Sequence, residues 1–186
     1  AEAILEGINA PGVYRYQSGN REQLSFETLS SDLDIIEQPN TKLKQQGTYV
    51  ITGGMGGLGL LFARYLAKEY QANLVLLGRS QANSGHGRVI EELKSSGAAS
   101  ARYESIDISD TKGLFGLSAA LETAQLCVDG VIHAAGVEGS KQITEANWSE
   151  FNTVLRASIE GSLAVNEVFK ARDWICYFSS SSAILG

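Results

Sequence analysis

A glycine-rich stretch, TYVITGGMGGLGLLF, carries the strongest chemical signal in the sequence. Gly53, Gly57 and Gly59 give the spacing TGxxxGxG between an apolar, strand-like run and an amphipathic, helix-like one. A turn without side chains lets backbone N–H groups approach a pyrophosphate, whose negative charge is favoured by the N-terminus of the helix. The pattern therefore predicts a dinucleotide-binding turn, with a purely structural glycine turn as the alternative.

The next apolar run ends in LLGRS, where NAD-binding sheets tend to place an acidic residue for the ribose 2′-hydroxyl. Arg79 stands there instead and is followed by Ser80. Because a guanidinium can bind a 2′-phosphate, this pair favours NADP over NAD. The alternative is a solvated arginine that follows a strand.

Two further strand ends, SIDIS and HAAG, carry polar or small residues. Asp107 could accept a hydrogen bond from the amino group of adenine. The small residues Ala134, Ala135 and Gly136 would let a nicotinamide ribose lie close to the backbone. His133 is interpreted as a strand-end histidine whose hydrogen bonds are satisfied within the protein, rather than as a proton donor.

The elements that must position these residues alternate along the chain. Five apolar, strand-like runs separated by segments of helical periodicity predict an α/β fold, a doubly wound parallel sheet of the Rossmann-like class. We expect this sheet to be incomplete on its C-terminal side, because a fifth strand at the edge would leave apolar surface uncovered. Before the sheet, GVYRYQSGNREQLSFETLSS predicts a short N-terminal β-hairpin. A boundary near Gln46 separates a β segment and linker, 1–46, from a main domain, 47–186.

Two helices show apolar stripes, and we expect both stripes to pack in the core. The stripe on the first helix consists of Leu58, Leu61, Phe62, Tyr65 and Leu66. A long later helix is predicted to begin with a capping-box-like start at Asn147 and Glu150. Its stripe consists of Trp148, Phe151, Leu155, Ile159 and Leu163. The segment SQANSGHG is interpreted as a mobile surface loop.

The composition excludes several classes of protein. A net charge of −6 over 186 residues offers no basic stripe for a nucleic acid. Cys127 and Cys176 lie in separate apolar stretches, which predicts neither a metal site nor a disulfide framework. No apolar run approaches the roughly 18 residues of a membrane span, so we expect a cytoplasmic protein without a membrane partner. Because the chain starts at Ala1 and its sole methionine is Met55, we expect a piece of a longer protein.

Taken together, VITGGMGGLG, LLGRS, SIDIS and DGVIHAAGV resemble the short-chain dehydrogenase/reductase superfamily. With YFSSSSAILG they resemble the ketoreductase domain of modular polyketide synthases, from about Thr48 to Gly186. The resemblance implies NADPH as the cofactor. As the partner it implies an acyl carrier protein that carries a β-ketoacyl chain on phosphopantetheine, beside other synthase domains. Cofactor contacts are implied for Gly53, Met55, Gly56, Gly57, Leu58, Gly59, Arg79, Ser80, Asp107, Ile108, Ala134, Ala135 and Gly136.

The same resemblance implies one catalytic residue within the sequence. Ser180 would hydrogen-bond the substrate carbonyl, with Ser179 and Ser181 as the neighbouring alternatives. The tyrosine of the family's YxxxN motif is expected beyond Gly186. The N-terminal hairpin resembles the last strands of the structural subdomain that precedes such domains.

Two departures from the family pattern bear on activity. The family helix carries V-L-x-x-K-V-x-G, with a lysine that helps to lower the pKa of the tyrosine, whereas this chain has VLRASIEG with Ser158 at that position. Arg156 lies two residues earlier and does not face the same way on an ideal helix. After HAAG, VEGS replaces the Leu-Asp-Asp stretch of one stereochemical class. The alternative function is therefore a catalytically silent domain that serves as a structural or docking element, while a methyltransferase is disfavoured because LLGRS lacks an acidic residue.

Overall fold

The computed structural model describes residues 13–25, 42–136, 147–169 and 173–180. The chain divides into two compact units, residues 1–39 and 40–186. Each unit is described by itself. The domain boundary near Gln46 stays a prediction.

The first unit contains the expected β-hairpin. Strands β1 (Tyr14–Gln17) and β2 (Asn20–Gln23) pair in antiparallel register around the turn residues Ser18 and Gly19. Both turn residues have positive φ, 53° and 80°. Two successive left-handed residues match the right-handed twist of a tight hairpin, which confirms the turn predicted at this point.

The second unit contains a five-stranded parallel sheet in the order β5-β4-β3-β6-β7. Every neighbouring pair in it is parallel. This confirms the doubly wound, Rossmann-like fold. The strands are β3 (Thr48–Thr52), β4 (Asn73–Gly78), β5 (Ser100–Ser105), β6 (Val128–His133) and β7 (Trp174–Tyr177).

The helices lie on both faces of this sheet. They are α1 (Gly57–Tyr70), α2 (Ser84–Ser95), α3 (Thr111–Thr123), α4 (Trp148–Leu155) and α5 (Gly161–Val168). Between α4 and α5 the chain forms a π-helical segment, Arg156–Glu160. The expected single long helix is therefore divided by a wider turn.

Two apolar clusters form the core, one on each face of the sheet. Alternate residues of β3 point to opposite faces, so that Ile51 packs with α1 and α2 whereas Val50 packs with α3 and α5. Leu66 and Leu93 anchor the first cluster, and Leu114 and Val165 are part of the second.

The predicted core stripe of α1 is largely wrong. Leu58, Leu61 and Tyr65 are exposed, and of the predicted stripe only Leu66 is buried. The helix instead turns a face with small residues such as Ala63 toward the sheet, which allows a closer approach than bulky side chains would. The sequence is apolar on both sides of this helix, so periodicity alone did not decide between them.

The stripe predicted for the later helix is also wrong. Trp148 is 74% exposed, and Phe151, Ile159 and Leu163 are exposed as well. The buried side of α5 is lined instead by Gly161, Ala164, Val165 and Val168. The π-helical segment changes the angular phase between α4 and α5, so a stripe drawn with one continuous period does not follow a single face.

Asparagine side chains cap the N-termini of two helices. Oδ1 of Asn147 accepts the backbone N–H of Glu150 over 2.9 Å, which confirms the predicted cap. Asn83 caps α2 in the same way, and a reciprocal bond runs from its backbone N–H to Nδ1 of His86. The second half of SQANSGHG thus belongs to a helix, and its interpretation as a loop was wrong there.

A cluster of charged side chains lies at the amino ends of the parallel strands. Nζ of Lys44 lies 2.9 Å from Oδ1 of Asp129 and 2.7 Å from Oδ2 of Asp173. Oδ2 of Asp129 also accepts the backbone N–H of Thr48, the first residue of β3. Residues 42–47 are thereby tied to β3, β6 and the start of β7.

Candidate functional site

A cleft of about 250 Å³ opens at the carboxyl edge of the sheet. The residues that follow β3, β4, β5 and β6 line it, together with one side of α4 and the π-helical segment. The strand order reverses between β3 and β6, and ligands of open α/β sheets bind at such a point.

The glycine loop between β3 and α1 requires glycine at two positions. Gly53 has φ of 62°, and a Cβ atom there would lie 2.8 Å from the backbone oxygen of Ala134. Gly59 is buried against the backbone of Gly53, which a side chain would displace. Both glycines therefore fix the shape of the loop itself, whatever the loop binds.

The middle of the same loop fits a pyrophosphate. A Cβ atom at Gly57 would meet open space, and at Gly56 only the oxygen of Gly53, at 3.2 Å. Within the described residues no side chain caps the N-terminus of α1 at Gly56, so its N–H groups are not occupied by such a cap. This combination of open space and uncapped N–H groups fits an anionic group.

Arg79 and Ser80 follow β4 directly, but their side chains lie in two different environments. Arg79 is exposed and lines the cleft. Ser80 does not line it, because its Oγ lies 3.0 Å from Oη of Tyr103 and 3.4 Å from Nε2 of His86. The rings of Tyr103 and His86 stack with their centroids 4.2 Å apart. Ser80 thus faces the start of α2.

Asp107 lines the cleft after β5 and is held by Ser109. Oδ1 of Asp107 accepts the backbone N–H of Ser109 over 2.9 Å and its Oγ–H over 2.8 Å. Limited burial raises the pKa of Asp107, but the bonds from Ser109 and the charges of Arg156 and Arg79 outweigh it. The pKa therefore lies below its ordinary value, and the carboxylate acts only as a hydrogen-bond acceptor near neutral pH.

The loop after β6 is fastened by a buried hydrogen-bond network. Oγ1 of Thr52 accepts the backbone N–H of Ala135 over 3.1 Å and lies 2.7 Å from Nδ1 of His133. The imidazole of His133 also hydrogen-bonds the backbone of Ala157 in the π-helical segment. These contacts agree with the interpretation of His133 as a satisfied strand-end histidine, and they hold Ala134 and Ala135 at the cleft wall.

Ser180 follows β7 at the same carboxyl edge of the sheet and is exposed. Ser179 is exposed beside it, whereas Ser181 lies outside the described residues, as does VEGS at residues 137–140. Ser158, at the position of the family's lysine, is exposed within the π-helical segment, and its backbone oxygen accepts Oγ–H of Ser162.

Eight of the thirteen predicted cofactor residues line the cleft: Gly53, Gly56, Arg79, Asp107, Ile108, Ala134, Ala135 and Gly136. The other five, Met55, Gly57, Leu58, Gly59 and Ser80, are not among its lining residues. Met55 packs against the core on the α1 face. Gly57 and Gly59 lie in the first turn of α1, next to the lining residue Gly56.

Sequence reasoning missed several residues of the cleft wall. Thr52 could have been found because it is a polar residue at the end of an otherwise apolar strand. Ser109 could have been found because it forms an Asp-x-Ser turn with Asp107. Thr153 and Arg156 also line the cleft. Arg156 lines the cleft whereas Ser158 does not, which agrees with the expectation that these two side chains face different ways.

No group of three or more His, Cys, Asp or Glu side chains within the described ranges is arranged to hold a metal ion. Among the helices that the structure describes, none has the length and apolar character needed to cross a bilayer.

Comparison with known protein families gives a consistent match. A family model described as KR domain matches residues 47–186. Polyketide synthase PksM of Bacillus subtilis (strain 168) is 40% identical over 177 residues, which cover 91% of this chain and 4% of that protein. The 6-methylsalicylic acid synthase of Penicillium patulum is 31% identical over 200 residues, which cover 99% of this chain and 11% of that protein. The chain thus spans a small part of the length of these relatives.

A solved structure shares the fold at similar identity. The crystal structure of a ketoreductase domain from the bacillaene assembly line superposes with a TM-score of 0.76 at 31% identity. The match covers 93% of this chain and 40% of that chain. The similarity therefore extends over nearly all of the sequence.

Proposed function

Because this chain belongs to the KR domain family, the ketoreductase domains of modular polyketide synthases, we propose that its cleft binds NADPH for the reduction of a β-keto group. NADPH, when bound, supplies a hydride to the carbonyl carbon. The substrate is proposed to be an acyl chain on the phosphopantetheine of an acyl carrier protein. The setting is proposed to be a cytoplasmic synthase with other domains.

The observation that carries the choice of cofactor is Arg79 in the cleft wall at the end of β4. A ribose 2′-hydroxyl is usually bound by a carboxylate at this point, whereas a 2′-phosphate requires a cation. The guanidinium offers paired donors to a phosphate. Gly56 and Gly57 support the same proposal, because they leave space for the pyrophosphate above the N-terminus of α1.

Ser180 is proposed to act on the substrate rather than on the cofactor. As the hydride arrives, negative charge develops on the carbonyl oxygen, and a hydroxyl that donates to this oxygen stabilises the charge. A proton must then reach the oxygen to complete the alcohol. The tyrosine of the family's YxxxN motif is the proposed donor.

Ser158 supports the alternative of a silent structural domain, because an exposed serine stands where the family has a lysine. Without that ammonium the pKa of the tyrosine would be higher and proton transfer slower. Loss of this group is expected to reduce activity while cofactor binding persists. Cofactor binding and turnover therefore have to be measured separately.

The test is calorimetric titration of the full-length protein with NADPH and with NADH, beside Arg79→Gln and Arg64→Gln variants. Arg64 is a matched control, since it is an exposed arginine on α1 that pairs with Glu92 on the other side of the sheet from α3 and α5. We expect NADPH to bind at least roughly tenfold more tightly than NADH, and Arg79→Gln to remove this preference. Equal binding of both dinucleotides in the unmodified protein would contradict the choice of cofactor.

Failure to bind either dinucleotide in the folded protein would overturn the proposed function and favour the structural alternative. Binding of NADPH without reduction of a β-keto thioester would instead support a domain that keeps its cofactor site but has lost its chemistry.

A further inference from the structure

Arg156 reaches the cleft from the first residue of the π-helical segment. Its Nη2 donates to Oγ of Ser109 over 2.8 Å, and its Nε lies 3.2 Å from Oε2 of Glu160. The guanidinium is thus held at two points, one on its own helix and one on the loop after β5. π-helical turns are frequent at functional sites.

Ser109 transmits this contact to Asp107. Its backbone N–H and its Oγ–H both donate to Oδ1 of Asp107. Because Oγ uses its proton for Asp107, it meets the guanidinium of Arg156 as an acceptor. The three residues form a directional chain in which each hydrogen bond polarises the next.

This arrangement commits one carboxylate oxygen of Asp107 and leaves the other available. In the part of the chain that the structure describes, Oδ1 takes both bonds from Ser109, and no hydrogen bond to Oδ2 is formed. Asp107 also lines the cleft. We propose that Arg156 and Ser109 act as a relay that fixes the Asp107 carboxylate, so that Oδ2 recognises the exocyclic amino group of the dinucleotide's adenine.

The inference rests on the proposed function, since it requires a dinucleotide in the cleft, and it adds a specificity for the base. An ionised carboxylate can only accept hydrogen bonds. The C6 amino group of adenine donates one, whereas hypoxanthine presents a carbonyl oxygen at the same position and would face the carboxylate as a second acceptor. The relay therefore favours adenine over hypoxanthine, and Arg156 acts as a positioning residue through Ser109.

The experiment compares two ligands whose bases differ at C6, where a carbonyl oxygen replaces the amino group, and at the adjacent N1, which gains a proton. Dissociation constants for NADPH and for its hypoxanthine analogue, deamino-NADPH, are measured by calorimetry on the full-length protein. The variants are Arg156→Met, Arg156→Lys, Ser109→Ala and the control Arg64→Met. Arg156 and Arg64 are both exposed and both pair with a glutamate, so the two methionine variants remove comparable surface contacts.

We expect the unmodified protein to prefer NADPH by about tenfold or more, as for a hydrogen bond to a charged group. Arg156→Met and Ser109→Ala should each reduce this ratio to about twofold or threefold. Arg156→Lys should retain part of it, and Arg64→Met all of it. A loss of folding would lower binding of both ligands together, whereas loss of the relay changes their ratio.

An unchanged ratio in both Arg156→Met and Ser109→Ala, with NADPH still bound, would overturn the relay and leave the proposed function intact. Absence of binding by either ligand in the unmodified protein would overturn both. NMR titration of the Asp107 carboxyl gives a second readout. Arg156→Met removes a positive charge and Ser109→Ala removes a hydrogen bond, each of which lowers the pKa of Asp107. Asp107 should therefore titrate at higher pH in these two variants and at an unchanged pH in Arg64→Met.

Discussion

Nδ1 of His133 lies 2.7 Å from Oγ1 of Thr52, and both side chains are buried at the carboxyl edge of the sheet. Because Thr52 also accepts the backbone N–H of Ala135, its own proton is free to be donated to a neutral imidazole. The hydrogen bond of His133 to the backbone of Ala157 continues the network into the π-helical segment. One histidine thus connects the ends of β3 and β6 with the helix that carries Arg156.

The protonation of His133 should make the stability of the fold depend on pH. Burial lowers its pKa below the ordinary 6.5, and the bond to Ala157 offsets this only in part. Below about pH 6.5 the unfolded chain therefore takes up a proton that the folded chain does not, so stability falls as the pH drops toward the folded-state pKa. Above pH 6.5 both states are neutral at this residue and the contribution is constant.

Urea unfolding between pH 8 and pH 5 checks this expectation. The free energy of unfolding should fall more steeply below pH 6.5 in the unmodified protein than in a His133→Gln variant, by up to about 1.4 kcal/mol per pH unit. Parallel profiles for the two proteins would show that His133 does not contribute to the pH dependence.

Gly57→Ala should separate binding from folding. The added Cβ atom meets open space, and alanine favours a helix by up to about 1 kcal/mol over glycine. We expect unchanged or higher stability, but NADPH affinity lowered roughly tenfold or more, because the backbone no longer approaches the pyrophosphate closely. Gly116→Ala on α3 is the matched control, since its Cβ also meets open space and the residue does not line the cleft. Equal affinity in both variants would argue against a pyrophosphate at the N-terminus of α1.

Two leucines of α1 test which face of that helix is in the core. Leu66 is 1% exposed and Leu61 is 62% exposed. Leu66→Ala should lower the free energy of unfolding by about 2–5 kcal/mol, whereas Leu61→Ala should change it by less than about 0.5 kcal/mol. Denaturant titration of the two variants measures these changes. Similar losses of unfolding free energy in both would support the apolar stripe predicted from the sequence as the core face of α1.

A Ser158→Lys variant tests whether the missing ammonium limits turnover. We expect reduction of a β-keto thioester by the full-length protein to rise, by roughly tenfold or more, with little change in NADPH affinity, because the lysine would favour proton transfer. Ser149→Lys is the control, as it adds the same charge to an exposed position of α4. An equal response of both variants, or none in either, would mean that Ser158 is not the limiting departure and would strengthen the structural alternative.

The five strands of the parallel sheet and their alternation with helices could be predicted from the sequence, because strands and their turns leave short, local patterns. The glycine loop, Arg79 and Asp107 were found for the same reason, since each comes at the end of a strand predicted from the sequence. The exposure of Leu61 could not be predicted, because α1 is apolar on both sides. The side with the small residues packs against the sheet, and periodicity does not identify that side. The contact of Arg156 with Ser109 could not be predicted, because it joins two residues that lie 47 positions apart in the sequence.

The two apolar clusters draw on different stretches of the chain, and this has a consequence for assembly during synthesis. Apart from Ile132, the buried members of the cluster under α1 and α2 come from residues 49–101. The cluster under α3 and α5 also needs Ala164, Val165, Val168 and Phe169. Chains emerge from the ribosome N-terminus first. The face under α1 and α2 can therefore pack early, whereas the face under α3 and α5 stays exposed until the segment that carries Arg156 has been synthesised. The wall of the cleft that carries Arg156 would then be the last part of this core to consolidate, and the part most exposed to chaperones.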